Sequence, residues 1–294
     1  MDLRQLRAVV EVGRSGGFTR AADVLGVAQP ALSQAVGSLE RELGVGLFER
    51  TSRRVRPTPA GAVFIERAAR ILSDVEALRS EMAEHAGVVR GRVVVGSLQL
   101  FSETALPAIL ARFHRLHPDV ELALREDVTH EMLAKLRAAE LDVAIVNVDD
   151  PAPYPDVAFV PLYRDPLAIA VAAAHPLARI GTTTMAGLRD EDWVTFRRGS
   201  GLHATLLEAT RREGFVPRIV VESADTLTLR TLASEGLGIA LLPRTFLEAP
   251  GPHVAIVELR EPKLERAIAL ASRRGSVPNA AARAFATFLR ESFR

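Results

Sequence analysis

Short, uncharged polar side chains stand at the start of one predicted helix, in the stretch Ala28-Gln29-Pro30-Ala31-Leu32-Ser33-Gln34. Glutamine amides and a serine hydroxyl both donate and accept hydrogen bonds, as the edges of DNA base pairs require. Proline and alanine are small enough to contact a thymine methyl group, whereas a bulky or acidic leading face would clash with a duplex or repel it. The stretch therefore suits a surface that lies against base pairs. The alternative is a plain helical hairpin.

Arginines crowd the segment that follows this helix. Arg50, Arg53, Arg54 and Arg56 fall within seven positions, and prolines come directly after them. This pattern predicts a short basic hairpin, or wing, rather than a helix. A run of like charges is usually a solvated surface. In a chain whose formal net charge is only +1, however, a basic patch beside a polar helix favours contact with phosphates or with the minor groove.

The other residues that could take part in catalysis or metal binding do not form a recognisable catalytic or metal site. The chain has no cysteine, which excludes disulfides, thiolate nucleophiles and thiolate metal ligands. His114 and His117 have a spacing that can bind a metal, but two ligands are too few to indicate a site. The stretch Gly236-Leu237-Gly238 is too short for a dinucleotide fingerprint, and there is no Walker loop or nucleophile elbow. We therefore expect no enzyme activity, no metal and no cofactor.

The elements that would position the polar stretch are three predicted helices in the first 58 residues. Apolar residues recur at helical spacing over residues 3–15, 19–25 and from Gln29 or Pro30 to residue 43. Gly26 suits a left-handed turn, and Pro30 suits the first turn of the next helix. The result is a helix-turn-helix pattern.

The rest of the chain divides into a long helix and an alternating α/β region. Residues 59 to about 85 carry one apolar stripe, and so long a helix needs a partner helix. From residue 91 onward, strands such as RVVVGS and LDVAIVNV alternate with helices, which predicts a mostly parallel sheet covered by helices. There is no secretory signal pattern and no stretch of eighteen apolar residues, so we expect a cytoplasmic protein without membrane contact.

Taken together, these features resemble the LysR-type transcriptional regulators. The N-terminal resemblance runs without gaps through about sixty residues and rests on these motifs: Phe18-Thr19-Arg20-Ala21-Ala22, Gln29-Pro30-Ala31-Leu32-Ser33-Gln34, Leu39-Glu40, Leu43-Gly44, Leu47-Phe48-Glu49-Arg50 and Thr58-Pro59-Ala60-Gly61. It continues more weakly to the end of the chain, through Pro107, Phe113, Pro118, the stretch Leu141-Asp142-Val143-Ala144 and Gly214-Phe215.

The resemblance implies an α/β fold class with three parts. These are an N-terminal all-α winged helix-turn-helix (1–58), a long linker helix that dimerises (59–87) and a two-subdomain effector domain (91–294) similar to type 2 periplasmic binding proteins. Subdomain I would comprise 91–162 and 268–294, and subdomain II 163–267, joined by crossover strands near 161–171 and 264–272. The partners implied are double-stranded promoter DNA, a small-molecule effector, further copies of the chain in a homodimer or homotetramer, and RNA polymerase.

The resemblance also assigns contact residues. Gln29, Pro30, Ser33 and Gln34 would contact bases, and many relatives carry arginine where this chain has Gln34. We expect the full DNA-binding set to be Thr19, Gln29, Pro30, Ala31, Ser33, Gln34, Arg50, Arg53, Arg54 and Arg56.

Ligands of open α/β sheets bind beyond the carboxyl ends of the strands. Three such ends are visible, and in the family these segments line the effector pocket, facing further residues from the second subdomain. The expected effector-binding set is Leu98, Gln99, Leu100, Phe101, Ser102, Thr129, Asn147, Leu202, His203 and Thr226. Leu100 replaces the usual serine or threonine, and Asn147 stands where some aromatic-acid sensors have arginine. Both changes predict an apolar or neutral effector rather than a carboxylate. The alternative is that these residues only form strand-end loops.

Two other classes of protein are compatible with the α/β region. One is a cytoplasmic solute-binding protein with an added N-terminal helical module, and the other is an α/β enzyme with such a module. The absent signal pattern and the recognition-helix motif argue against the first, and the absent catalytic constellation argues against the second.

Overall fold

The structure is a computed structural model and describes residues 1–50, 55–85, 89–99, 101, 104–148, 151–275 and 279–293. The N-terminal domain contains three helices and a hairpin: α1 (Leu3–Ser15), α2 (Phe18–Leu25), α3 (Gln29–Leu43), β1 (Phe48–Arg50) and β2 (Val55–Pro57). The strands pair antiparallel, with Glu49 opposite Arg56. The predicted helix-turn-helix and wing are therefore confirmed.

Local signals fix the ends of these helices. The Asp2 side chain accepts a hydrogen bond from the backbone N–H of Gln5, and Gln5 completes a capping box at the start of α1. Gly26 ends α2 with φ of 64°, and Gly44 ends α3 with φ of 67°. This left-handed backbone is strained for other residues, which is why the glycines mark the turns.

The core of the N-terminal domain holds α3 in place by one face. Leu32, Val36 and Leu39 are buried against α1 and α2, and the rings of Phe18 and Phe48 meet edge to face with centroids 6.0 Å apart. Burial of this apolar stripe leaves the opposite face of α3 open to solvent.

The long helix α4 (Pro59–His85) begins at a tightly built junction. The Thr58 hydroxyl accepts a hydrogen bond from the Gly61 N–H (2.9 Å) and donates one to the carbonyl of Gly46 (2.8 Å). Thr58 therefore acts as an N-cap, with Pro59 in the first helical position. Further along, Ala68 and Ala69 pack on Leu6 of α1. An exposed apolar stripe remains on α4: Val63, Ile71, Leu78 and Met82.

The C-terminal part consists of two α/β subdomains with separate cores. Its strands are β3 (Gly91–Ser97), β4 (Val120–Glu126), β5 (Val143–Asn147), β6 (Val157–Val171), β7 (Thr182–Thr183), β8 (Asp192–Phe196), β9 (Arg218–Ser223), β10 (Ala240–Pro243), β11 (Ala255–Leu259) and β12 (Glu265–Arg273). Its helices are α5 (Leu106–Leu116), α6 (Thr129–Arg137), α7 (Pro176–Ile180), α8 (Gly201–Arg212), α9 (Thr226–Ser234), α10 (Arg244–Glu248) and α11 (Ala280–Glu291), with a 3₁₀ turn at Ala186–Leu188.

Two long strands connect the subdomains. β6 pairs with β12 along its first part and with β10 and β11 along its second part, always antiparallel. In the first subdomain, β3 runs parallel to β4 and β5, and β12 joins antiparallel to β5. The predicted mostly parallel sheet is therefore a mixed one, because β6 and β12, which pass between the subdomains, pair antiparallel with their neighbours.

The linker helix contacts the first subdomain through polar groups. Arg273, at the end of β12, donates a hydrogen bond from Nη2 to the Ser73 hydroxyl on α4 (3.3 Å). Arg137, at the end of α6, donates two hydrogen bonds to Asp156 (2.6 and 2.9 Å). Arg137, Asp156 and Arg273, together with Arg70 and Asp74 of α4, line a cavity of about 180 Å³. Among the described residues, no helix is both long enough and apolar enough to cross a membrane.

Candidate DNA-binding and effector sites

The exposed face of α3 carries the predicted base-contacting residues. Gln29, Pro30, Ala31 and Gln34 are exposed and Ser33 is half-buried, while Thr19 is exposed on α2. The Gln29 amide donates a hydrogen bond from Nε2 to the Ser33 hydroxyl one turn further along (2.9 Å). The surface offers donors, acceptors and small apolar groups, and no side chain of α3 caps its first turn. Uncapped N–H groups at a helix start attract phosphate as well as base acceptors.

The wing is described only in part. Arg56 is exposed on β2, and Arg50 lies at the end of β1 with its side chain outside the description. Arg53 and Arg54 lie outside the described residues, so their predicted phosphate contacts stay predictions. The hairpin packs through Phe48 onto the core that holds α3, which places the wing on the same domain as the recognition surface.

A cleft of about 490 Å³ opens between the two subdomains. One wall follows strand ends and the start of α6 in the first subdomain, and the other wall includes the starts of α8 and α9 in the second. Gln99 crosses the cleft, donating a hydrogen bond to Asp225 (3.4 Å). The volume falls in the range of small-molecule sites.

Six of the predicted effector-binding residues line this cleft: Leu98, Gln99, Thr129, Asn147, Leu202 and Thr226. The Thr129 hydroxyl donates to the carbonyl of Asn147 and accepts from its N–H (both 3.3 Å), so it fixes the end of β5. Leu100 and Ser102 lie outside the described residues.

The structure corrects the assignment of Phe101 and His203, which do not line the cleft. Phe101 is buried in the first subdomain, where its ring lies 5.8 Å from the ring of Phe293 between centroids. His203 is buried and its Nδ1 lies 2.7 Å from the carbonyl oxygen of Phe196. Both side chains point into the protein, Phe101 into the apolar core and His203 toward the Phe196 carbonyl. The distance of a residue from a strand end does not reveal whether its side chain faces the cleft or the interior.

Sequence reasoning missed three charged residues of the cleft. Arg266 on β12 lines it, together with Arg197 and Glu126, whereas Asp127, which also lines it, belongs to a strand end that the sequence had placed there. Arg266 is buried and donates from Nη2 to the fully buried carboxylate of Asp165 (2.7 Å), which also accepts a hydrogen bond from Thr245 (3.0 Å). The sequence signal for it is weak, since Arg266 stands directly before the apolar stretch Ala267-Ile268-Ala269-Leu270 and follows the charged Glu265.

An exposed polar recognition helix lies on the same domain as a wing, and a long helix joins this domain to two subdomains that enclose a cleft. This combination defines a DNA-binding protein that responds to a small molecule. The chain belongs to the LysR family of bacterial transcriptional regulators. A family model described as a bacterial regulatory helix-turn-helix protein of the lysR family matches residues 3–62, and one described as the LysR substrate binding domain matches residues 86–294. The protein is thus a transcriptional regulator and not an enzyme.

Similar proteins include regulators of the response to hydrogen peroxide. The chain is 32% identical to a hydrogen peroxide-inducible genes activator of Pectobacterium carotovorum subsp. carotovorum, over 94% of this chain and 91% of that protein. Full-length OxyR from Pseudomonas aeruginosa, in a cysteine-to-aspartate variant, is 30% identical with a TM-score of 0.80, covering 100% and 95% of the chains. A cysteine-to-serine variant of Corynebacterium glutamicum OxyR with hydrogen peroxide bound is 30% identical with a TM-score of 0.63, covering 99% and 92%.

Proposed function

We propose that this regulator responds to a small molecule held non-covalently in the cleft between its subdomains, and not to oxidation of a thiol. The observation that carries the proposal is the absence of cysteine from all 294 residues. Peroxide modifies proteins reversibly through cysteine thiolates, and this chain has none. A cleft of about 490 Å³ with both polar and apolar lining residues supports binding of a ligand instead.

DNA recognition is divided between α3 and the wing. Gln29, Ser33 and Gln34, with Pro30 and Ala31, read base edges in the major groove. The wing arginines contact phosphates, and Thr19, exposed on α2, contributes a further DNA contact. The exposed apolar stripe of α4 pairs with the same stripe of a second copy, as its composition and length favour. The two DNA-binding domains of such a dimer are then related by two-fold symmetry and bind an interrupted palindrome.

Two elements support communication between the cleft and the linker helix. α6 begins at Thr129 in the cleft and ends at Arg137 beside α4, and β12 carries Arg266 in the cleft and Arg273 against Ser73. A ligand with different affinities for two closure states shifts the balance between them. The shift changes the placement of α4. The spacing of the DNA-binding domains in an oligomer changes with it, and so does the recruitment of RNA polymerase.

The variants Gln29→Ala and Arg56→Ala are expected to weaken DNA binding in different ways. Loss of Gln29 removes base contacts, so affinity for the operator falls by about 1–3 kcal/mol while binding to random DNA is unchanged. Loss of Arg56, or of Arg53, weakens binding to both DNAs and reduces the slope of log K against log salt by about 1. Fluorescence anisotropy at several salt concentrations distinguishes the two. Equal losses on both DNAs for both variants would contradict this division.

Footprinting on the DNA upstream of the protein's own gene tests the operator and the sensing mode together. We expect protection over an interrupted palindrome, unchanged by sub-millimolar hydrogen peroxide or by dithiothreitol, because no thiol is present to react. A footprint that shifts reversibly with peroxide would overturn the proposal. Protection without two-fold symmetry would contradict pairing through α4.

A further inference from the structure

Three side chains in the cleft each hold a buried polar atom that has no hydrogen-bond partner within the described part of the chain. These atoms are the Nε of Arg266, the Oγ1 of Thr226 and the Oδ1 of Asn147. Arg266 is 5% exposed and Thr226 is 1% exposed. Buried polar atoms are nearly always hydrogen-bonded in native proteins. Because the three come from β12, α9 and β5, a molecule in the cleft is placed to supply the missing partners from between the subdomains.

The chemistry of these atoms restricts that molecule. The Nε–H of Arg266 can only donate, the Thr226 hydroxyl can donate, and the Asn147 Oδ1 can only accept. A complementary ligand therefore has an acceptor group for Arg266 and Thr226 and a donor group for Asn147. An apolar molecule would leave all three atoms unpaired, which disfavours its binding.

Backbone dipoles indicate the charge of the acceptor group. The helices α6 and α8 both begin at the cleft, and their N-caps, Val128 and Ser200, make no side-chain cap hydrogen bond. A helix start carries a partial positive charge and free N–H groups, which favours an anion. Arg197, which comes shortly before α8 in the chain, adds a cation to the wall formed by the second subdomain. By contrast, α9 is already capped, because Asp225 accepts a hydrogen bond from the Thr228 N–H (2.6 Å).

The acidic residues of the cleft do not oppose an anion strongly. Asp127 lies 2.5 Å from the Lys135 ammonium. Burial raises the pKa of Asp127, but the hydrogen bonds from Lys135 and from the Val128 N–H outweigh it and lower the pKa overall. The pair is thus neutral. Glu126 is exposed, where solvent and salt screen its charge.

From these observations we infer that the ligand of the cleft is a small carboxylate that also carries a hydroxyl or ammonium group. Its carboxylate accepts from Arg266, Thr226 and the helix starts, and its donor group binds the Asn147 oxygen. The inference rests on the proposed function in taking the cleft as the effector site. It replaces the expectation of an apolar or neutral effector, because that expectation rested on Leu100 and Asn147 and did not include Arg266.

Thermal unfolding of the full chain with matched probes tests this ligand class. The probes are lactate, malate, mandelate and serine at 10 mM, the methyl esters of all four, and propionate, succinate and phenylacetate as acids without the donor group. Trp193, the single tryptophan, is buried in the second subdomain and reports its unfolding. A ligand at 100 times its Kd raises Tm by about 5 °C or more in a domain of this size. We expect at least one hydroxy or amino acid to reach this shift, and its ester and donor-free counterparts to stay below a fifth of it.

Two threonine variants separate ligand contact from structural effects. Thr226→Val removes a hydroxyl without a partner, so the Tm of the ligand-free protein should be unchanged or higher while the ligand-induced shift is lost. Thr210→Val is the matched control, since this buried hydroxyl donates to the carbonyl of Leu206 (3.1 Å). It should lower the Tm of the ligand-free protein and retain the ligand-induced shift.

Several results would overturn the inference. Esters that stabilise as well as acids would assign a neutral ligand, and no stabilisation by any acid of the panel would reject the class. A shift that persists in Thr226→Val would place the acid elsewhere. These measurements contain no DNA, so their failure is distinct from a failure of the footprint, which would reject the proposed operator binding.

Discussion

Replacing Gly61 with alanine is expected to separate the linker helix from the DNA-binding domain. A Cβ at this position would lie 1.9 Å from the carbonyl oxygen of Leu47 and 2.9 Å from its carbonyl carbon. That oxygen also accepts a hydrogen bond from the Thr58 N–H (3.0 Å), so the backbone is held on both sides. Backbone cannot move aside as a flexible side chain does, and α4 must shift as a whole.

The expected cost of Gly61→Ala is at least about 3 kcal/mol of unfolding free energy, at the upper end for overpacked sites. A helical domain of about 60 residues has little stability to lose, so operator binding should be abolished at 37 °C. Circular dichroism during urea unfolding, together with DNA anisotropy, measures both effects.

Gly37→Ala on α3 serves as the control for Gly61→Ala. Among the described residues, no atom beyond the neighbouring residues and the backbone of α3 itself lies within 4 Å of the added methyl group. Alanine is also favoured over glycine inside a helix by up to about 1 kcal/mol. This variant should therefore be more stable than the wild type. Gly61→Ala within about 0.5 kcal/mol of the wild type would contradict the close approach of α4 to Leu47.

The variant Arg266→Met should lower the unfolding free energy of the effector domain by about 3–5 kcal/mol. It leaves the carboxylate of Asp165 fully buried with only the Thr245 hydroxyl as a described side-chain partner. Removing one member of a buried ion pair is costly because the remaining charge cannot be solvated. Urea unfolding followed by the fluorescence of Trp193 measures the loss.

Adding Asp165→Asn to Arg266→Met should recover at least half of that loss. The second substitution removes the charge and keeps an acceptor for Thr245. The double variant should still not bind the ligand, because the Nε donor is gone. A single variant that costs less than about 1.5 kcal/mol, or a double variant no more stable than the single one, would show that Asp165 is stabilised in another way.

Comparison with the peroxide regulators to which the chain is similar shows that one fold can carry different chemical groups. The P. aeruginosa OxyR chain shares the whole architecture with a TM-score of 0.80. The present chain has no cysteine, so it has no thiol that peroxide could oxidise. A fold therefore identifies the family, whereas the groups placed in its cleft determine what is sensed.

The sequence alone determined the DNA-binding domain closely. The helices over residues 3–15 and 29–43 have the predicted ends, and Gly26 and Gly44 have the left-handed backbone expected of them. Capping, turns and the apolar stripe depend on residues close together in the chain, so a local pattern records them. The second subdomain was predicted less completely. Short elements such as β8, α10 and β11 are too brief for a periodic pattern, and β6 continues through Pro161 and Pro166.

Only the tertiary structure decided the composition of the cleft. Gln99 meets Asp225 across 126 positions of the chain, and Arg266 meets Asp165 across 101. Which side chains face each other there depends on how β6 and β12 pass between the subdomains and on the register with which they pair. The same strand-end spacing places Thr129 in the cleft and Phe101 in the core, since long-range packing, and not local sequence, determines which face of an element is buried.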